Sequence, residues 1–180
     1  MYRGNFTNNE TLEGFYADIR SRLQECHGED YAAYLDDIEE LAVGDYCELG
    51  VHQGASLAAA LLSRANSVTA YDINLRHWIP HSDLFKKFAR NGDKPLKVMP
   101  QNALDDKAKW LPCDFLFCDT LHTARHIRRV LRLHAPRVRN IIMVHDTNLP
   151  GRHEATLIDG WQVMRQVTLG SGHTILERCN

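Results

Sequence analysis

Between Asp45 and His145, short apolar runs alternate with helical stretches, and each run ends on a polar residue. The runs are Asp45–Leu49, Ser67–Tyr71, Leu96–Met99, Phe115–Cys118 and Asn140–His145. Each is too short for a helix, and turn signals bound them. Between them Ala55–Arg64, residues 82–90, residues 103–110 and Thr123–Ala135 read as helices, the last closed by Pro136. Apolar strands alternating with helices fit one arrangement, a parallel sheet covered on both faces.

The flanks extend that plan. Residues 10–26 carry Leu12, Phe15, Tyr16, Ile19 and Leu23 at helical spacing, and 29–42 carry Tyr31, Tyr34, Leu35, Ile38, Leu41 and Ala42. Gly28 separates the two helices and Gly44 stands at a helix-stop position. In the tail, Gln162–Leu169 and His173–Arg178 flank Gly170-Ser171-Gly172, a hairpin signal. The expected fold is α/β, Rossmann-like and doubly wound. It has a mostly parallel seven-stranded sheet, a C-terminal antiparallel hairpin and N-terminal helices. We expect one domain over 1–180, with 1–43 as a helical cap or interface segment and 44–180 as the core.

The chain has 180 residues, 44% of them hydrophobic and 24% charged, which excludes disordered and low-complexity chains. No apolar run approaches the roughly 20 residues of a membrane helix, and Met1–Asn5 leads into polar residues rather than a secretory core. Five cysteines without C-x-x-C spacing suit free thiols in a reducing, cytoplasmic setting; Cys113 and Cys118 read as packing residues. The net charge of −2 hides a segregation. Eleven acids lie between Asn9 and Asp45 against Arg20 and Arg22, while six arginines and no acid lie between Thr120 and Arg139. Arg125, Arg128, Arg129 and Arg132 share one helix face, either solvated or docked by the acidic N-terminal helices within or between subunits. Nucleic acid is not expected as a partner, because the chain is not basic overall and no aromatic residues interleave with these arginines.

In an open parallel sheet, ligands bind beyond the carboxyl ends of the strands. Those ends carry Glu48-Leu49-Gly50-Val51-His52-Gln53-Gly54-Ala55-Ser56, then Asp72, Gln101-Asn102, Asp119 and His145-Asp146. Gly50 and Gly54 permit a tight turn into a helix whose N–H groups face the ligand space. Their G-x-x-x-G spacing differs from the G-x-G-x-x-G of nicotinamide-dependent oxidoreductases. Asp72 stands where a carboxylate holds two ribose hydroxyls. His77 and His81, like His122 and His126, are spaced i, i+4 but lack the Glu of a zinc H-E-x-x-H site. Trp78 is a core residue or a stacking surface.

The stretch Glu48–Ser56, E-L-G-x-x-x-G-x-S, resembles motif I of the class I S-adenosylmethionine (SAM)-dependent methyltransferases. It is similar to the catechol-type enzymes and to the cephalosporin hydroxylase-like and sugar or macrolide O-methyltransferases. The agreement runs from Asp45 to about Asn148, with Gly170-Ser171-Gly172-His173 similar to the last hairpin of that group.

The resemblance implies a cofactor site of Glu48, Gly50, Gly54, Ser56, Asp72, Asn102 and Asp119. Glu48 and the glycine loop would face the methionine part of SAM, Ser56 its carboxylate, Asp72 the ribose and Asn102 the adenine amino group. It further implies His122 as catalytic base beside Asp119, and Asp119, His145 and Asp146 as ligands of a divalent metal (Mg, Mn or Fe). Two positions depart from that pattern: His145 replaces an oxygen ligand, which favours Mn or Fe over Mg, and Leu121 stands where a second acid is common. The expected function is O-methylation of a small-molecule hydroxyl, with a homodimer formed through the N-terminal helices. A metal-independent N-methyltransferase and a non-catalytic SAM-binding subunit or regulator remain alternatives.

Overall fold

The computed structural model describes residues 10–179; the Met1–Asn5 reading lies outside them. Thr11 opens α1 (Leu12–His27), its Oγ1 accepting the backbone N–H of Gly14, and Gly28 ends it at φ 95°. The expected second helix divides into a 3-10 turn, Glu29–Ala32, and α2 (Ala33–Leu41). There follow β1 (Val43–Leu49), α3 (Ala55–Leu62), β2 (Arg64–Asp72), α4 (Ser82–Asn91), β3 (Leu96–Pro100) and β4 (Cys113–Cys118). The chain continues through α5 (Ala124–His134), β5 (Val138–His145), β6 (Trp161–Val167) and β7 (His173–Arg178).

The seven strands form one sheet in the order β3-β2-β1-β4-β5-β7-β6. Pairings among β1 to β5 are parallel, while β7 is antiparallel to β5 and to β6. From β1 the chain winds outward to β3, returns to place β4 beside β1, and winds the other way. The order therefore reverses between β1 and β4, which fixes the binding crevice at their carboxyl ends.

Strand alternation sorts the core into two layers. Tyr46, Phe115 and Phe117 join Leu12, Phe15, Leu35, Ile38, Leu57 and Phe85 beneath α1 to α4. Cys47, Leu49, Leu116 and Val144 join Ile127, Val130 and Leu131 beneath α5. The N-terminal helices thus supply one covering layer of the sheet.

Two expectations change, and a third resolves toward one of its readings within the chain. Residues 103–110 form turns, not a helix. The Asn102 and Asp105 side chains accept the N–H groups of Leu104 and Lys107, a local alternative to helical bonding. Gly44 instead lies inside β1 at a register shift, and a side chain there would collide with Asp114, whose carboxylate accepts the N–H of Asp45. Arg125, Arg128, Arg129 and Arg132 are exposed, and among the described residues they make no ion pair with the N-terminal helices. Asp37 of α2 is anchored elsewhere, on His173 Nε2 at 2.5 Å and on Arg165.

Candidate active site

The loop Gly50–Gly54 follows β1 directly. At Gly50 (φ 97°) a Cβ would lie 1.9 Å from the carbonyl oxygen of Asp119, so only glycine lets β1 and the end of β4 approach this closely. Gly54, at φ 94°, caps α3. A Cβ there would meet Phe85 at 3.0 Å and Trp78 at 3.2 Å rather than open ligand space. Trp78 is a buried core residue, and its Nε1 donor lacks a partner among the described residues.

Asp72 Oδ2 accepts the backbone N–H groups of Val51 at 2.7 Å and His52 at 3.1 Å, and Oδ1 accepts that of Asn74 at 2.8 Å. The carboxylate thus holds the rim of the loop from β2. Gln101 N–H donates to Asp72 carbonyl oxygen at 3.0 Å, which places Asn102 beside that rim. Glu48 is fully buried, accepting from Tyr46 hydroxyl at 2.8 Å and from Ser56 hydroxyl at 3.0 Å. Burial pushes its carboxyl well above the usual range, against the effect of these two bonds. Glu48 and Ser56 therefore face each other beneath the loop.

The ends of β4 and β5 bring Asp119, His122, His145 and Asp146 together. Asp119 Oδ1 lies 2.8 Å from His122 Nε2, and Asp146 contacts His122 Nδ1, so one imidazole bridges two carboxylates. Asp146 adopts φ 58°, a left-handed conformation that Asp tolerates and that turns it back toward His122. Burial alone would lower the pKa of His122, but its bonds to Asp119 and Asp146 raise it to about 9. Burial opposes ionisation of Asp119, yet His145 and His122 outweigh it and hold the carboxyl well below its usual range. His145 is buried, its Nε2 bonded to Ser171 Oγ at 2.8 Å and its Nδ1 lying 3.4 Å from Asp119 Oδ1 without an aligned hydrogen bond.

Tyr31 and Tyr34, which sequence reasoning placed only on an apolar helix face, border this cluster. Tyr34 packs on His145 with ring centroids 4.3 Å apart, and Tyr31 stands edge-on to it at 6.1 Å. Burial, then the charges of Asp146 and Asp119, push the Tyr31 phenol upward. The hairpin tip closes the same corner, since a Cβ on Gly170 would lie 3.0 Å from Tyr31 Cα.

The expected metal trio of Asp119, His145 and Asp146 does converge. Even so, among the described residues no group of three or more His, Cys, Asp or Glu side chains is arranged to hold a metal ion. His122 instead engages both carboxylates. A nucleoside cofactor fits better: a tight glycine loop, a carboxylate at its rim and the unpartnered Trp78 donor behind it lie at the topological switch point.

A family model described as a methyltransferase domain matches residues 47–147, more than half of the chain. Curated protein sequences return no match. Among solved structures, the chain is similar to yhhF of Escherichia coli (TM-score 0.63, 18% identity, covering 88% of this chain and 86% of that one). It is also similar to an O-methyltransferase of Bacillus cereus solved with SAH (0.60, 15% identity, 96% and 92%). A third is the N-methyltransferase NodS of Bradyrhizobium japonicum WM9 (0.61, 11% identity, 91% and 98%). At these identities the likeness is one of fold.

Proposed function

The chain belongs to the methyltransferase-domain family, and we propose that it is a SAM-dependent enzyme that methylates a hydroxyl of a small molecule. When bound, SAM supplies an electrophilic methyl group for in-line displacement by the acceptor oxygen. The Gly50–Gly54 loop and Asp72 bind the cofactor, with Asn102 at the adenine. The Bacillus cereus relative's complex with SAH is consistent with that assignment.

The observation that carries the hydroxyl reading is the bridged imidazole of His122. A neutral hydroxyl is a poor nucleophile, and a positioned base removes its proton as the bond forms. Asp119 and Asp146 orient His122 and raise its basicity, so its neutral form is a stronger base than a free imidazole. Asp119 also lies against Gly50, which joins the proton-accepting cluster to the cofactor loop. No step passes through a metal. An amine acceptor is the second reading, because paired carboxylates attract an ammonium group. The odd cysteine count and the lack of paired spacing support a reducing, cytoplasmic setting.

The test is calorimetry with SAM and SAH, followed by turnover with a panel of hydroxyl and amine acceptors. The reading expects SAM binding, and methyl transfer to hydroxyls that depends on His122. Transfer confined to amines and indifferent to His122 would replace it with the second reading.

A further inference from the structure

Arg137 is a half-buried guanidinium with no carboxylate partner among the described residues. Its Nε donates to His134 Nδ1 at 2.9 Å, and its face lies 5.5 Å from the centroid of Trp110. Nη1 donates to the carbonyl oxygen of Leu111. The remaining contacts are sulfur: Nη2 to Cys47 Sγ at 3.4 Å and Nη1 to Cys113 Sγ at 3.9 Å. Burial keeps His134 neutral, lowering its pKa to about 4. A desolvated cation surrounded by neutral acceptors is costly unless an anion joins it. The adjacent groups able to supply one are the two thiols and the Tyr71 phenol, and burial pushes that phenol upward, which leaves the thiols.

Both thiols line a cavity of about 310 Å³ toward the amino ends of β1, β2 and β4, away from the glycine loop. Lys97, Leu111 and Arg139 line it too and are exposed, so it opens to solvent. The cavity walls include Thr69 and Tyr71, and no group there has a role in the methyl-transfer site.

We propose that Cys47 is held as a thiolate against Arg137, which also contacts Cys113, and is a modification site for small soft electrophiles, hydroperoxides in particular. The Cys47 thiol is pulled below its usual pKa, first by the neighbouring Cys113 and then by Arg137, with burial opposing; Cys113 is pushed up. In the reaction with hydrogen peroxide, the Cys47 sulfur attacks one oxygen, forming an S–O bond as the O–O bond breaks. The O–O electron pair leaves on hydroxide, which is released to solvent, and the sulfur keeps the transferred OH. The sulfur is oxidised by two electrons to a sulfenic acid and the peroxide is reduced.

The test uses the full chain. Brief iodoacetamide pulses across pH 6–9.5 are followed by peptide mass spectrometry of each cysteine, with the exposed Cys26 and Cys179 as internal references. Cys47 should reach half-maximal alkylation about one pH unit or more below Cys26. Arg137→Gln should move that point upward, and so should Cys113→Ala, which keeps the arginine. A second arm treats the protein with limiting hydrogen peroxide and dimedone, and should label Cys47 ahead of Cys26. A Cys47 profile at or above that of Cys26, no alkylation of Cys47 in the folded chain, or dimedone on Cys26 alone would each overturn the proposal. The wild-type comparison decides it even where a variant fails to fold.

Discussion

Asp72 Oδ2, at the end of β2, accepts the backbone N–H of Val51 at 2.7 Å and ties the first residues of the glycine loop to the neighbouring strand. The same oxygen takes the N–H of His52, whose φ of 47° is another left-handed position in a non-glycine residue. A carboxylate so placed orders the loop and keeps a free lone-pair site on Oδ1 that can receive a ribose hydroxyl. Asp72→Ala removes both roles. Losing charge-assisted hydrogen bonds costs about 1.5–3 kcal/mol, so SAM affinity should fall roughly 10- to 150-fold. Calorimetry on the folded variant checks it, and an unchanged dissociation constant would detach Asp72 from the cofactor.

His122 gives the reaction a pH signature. With its pKa raised to about 9, the imidazole is protonated at neutral pH and accepts a proton only in its neutral form. Turnover should therefore rise with pH through the neutral range and level off near 9. His122→Ala should lower turnover by about 10²–10⁴-fold while SAM still binds. A rate that is flat from pH 6 to 9, or full activity in the variant, would remove His122 as the base.

The same cluster shapes stability. The folded pKa of His122 lies above its ordinary 6.5, so its contribution is complete below about 6.5 and is lost as pH rises through about 9. Asp119 has its pKa lowered from 3.8, so its contribution is present above about 3.8 and is lost as pH falls through the depressed value. The cluster stabilises most between about pH 4 and 6.5. Melting temperature should decline from pH 6.5 to 9.5, and His122→Gln should flatten that decline. An equal decline in both proteins would separate the cluster from alkaline stability.

These features differ in how far the sequence exposes them. The five parallel strands are legible because short apolar runs bounded by turn residues have few alternatives, and the polar residues ending them mark the crevice. Asp119, His122, His145 and Asp146 are legible as neighbours for that reason. The bridge through His122 is not, because it depends on the backbone of Asp146 turning left-handed. Residues 103–110 mislead because side-chain bonds from Asn102 and Asp105 override a plausible helical pattern. Tyr31 and Tyr34 read as ordinary apolar positions, and only the tertiary fold sets them against His145. Ser171 sits in a turn signal that says nothing of the histidine its hydroxyl reaches.

Gly50 and Gly28 provide a matched pair of glycine tests. Both have strongly positive φ, 97° and 95°, but a Cβ at Gly50 strikes the Asp119 carbonyl whereas one at Gly28 meets nothing within 4 Å. Gly28→Ala should cost the backbone strain alone, about 1–3 kcal/mol. Gly50→Ala should cost more, because β1 and β4 must part at the crevice, and SAM binding should fall with it. Urea denaturation of both variants checks the order. Equal losses would mean that the approach of Asp119 to the loop is not required.

Asp37 tests how the N-terminal helices serve the site. Asp37 is buried, and its carboxylate receives His173 from β7 and Arg165 from β6, so α2 is clamped to the hairpin whose tip packs on Tyr31. Removing one member of a buried pair typically costs about 3–5 kcal/mol; the half-exposed Arg165 puts the expected loss for Asp37→Ala near the lower end. Tyr31 and Tyr34 ride on the same segment, so turnover should fall in the variant while SAM affinity, which the proposed function assigns to the Gly50–Gly54 loop and Asp72, changes little. Deleting residues 1–42 goes further. It strips Leu12, Phe15, Leu35 and Ile38 from a buried layer and exposes Tyr46, Phe115 and Phe117, so the shortened chain should aggregate. A monodisperse truncated protein with full SAM affinity and turnover would show that the helices cover the sheet without being needed by it.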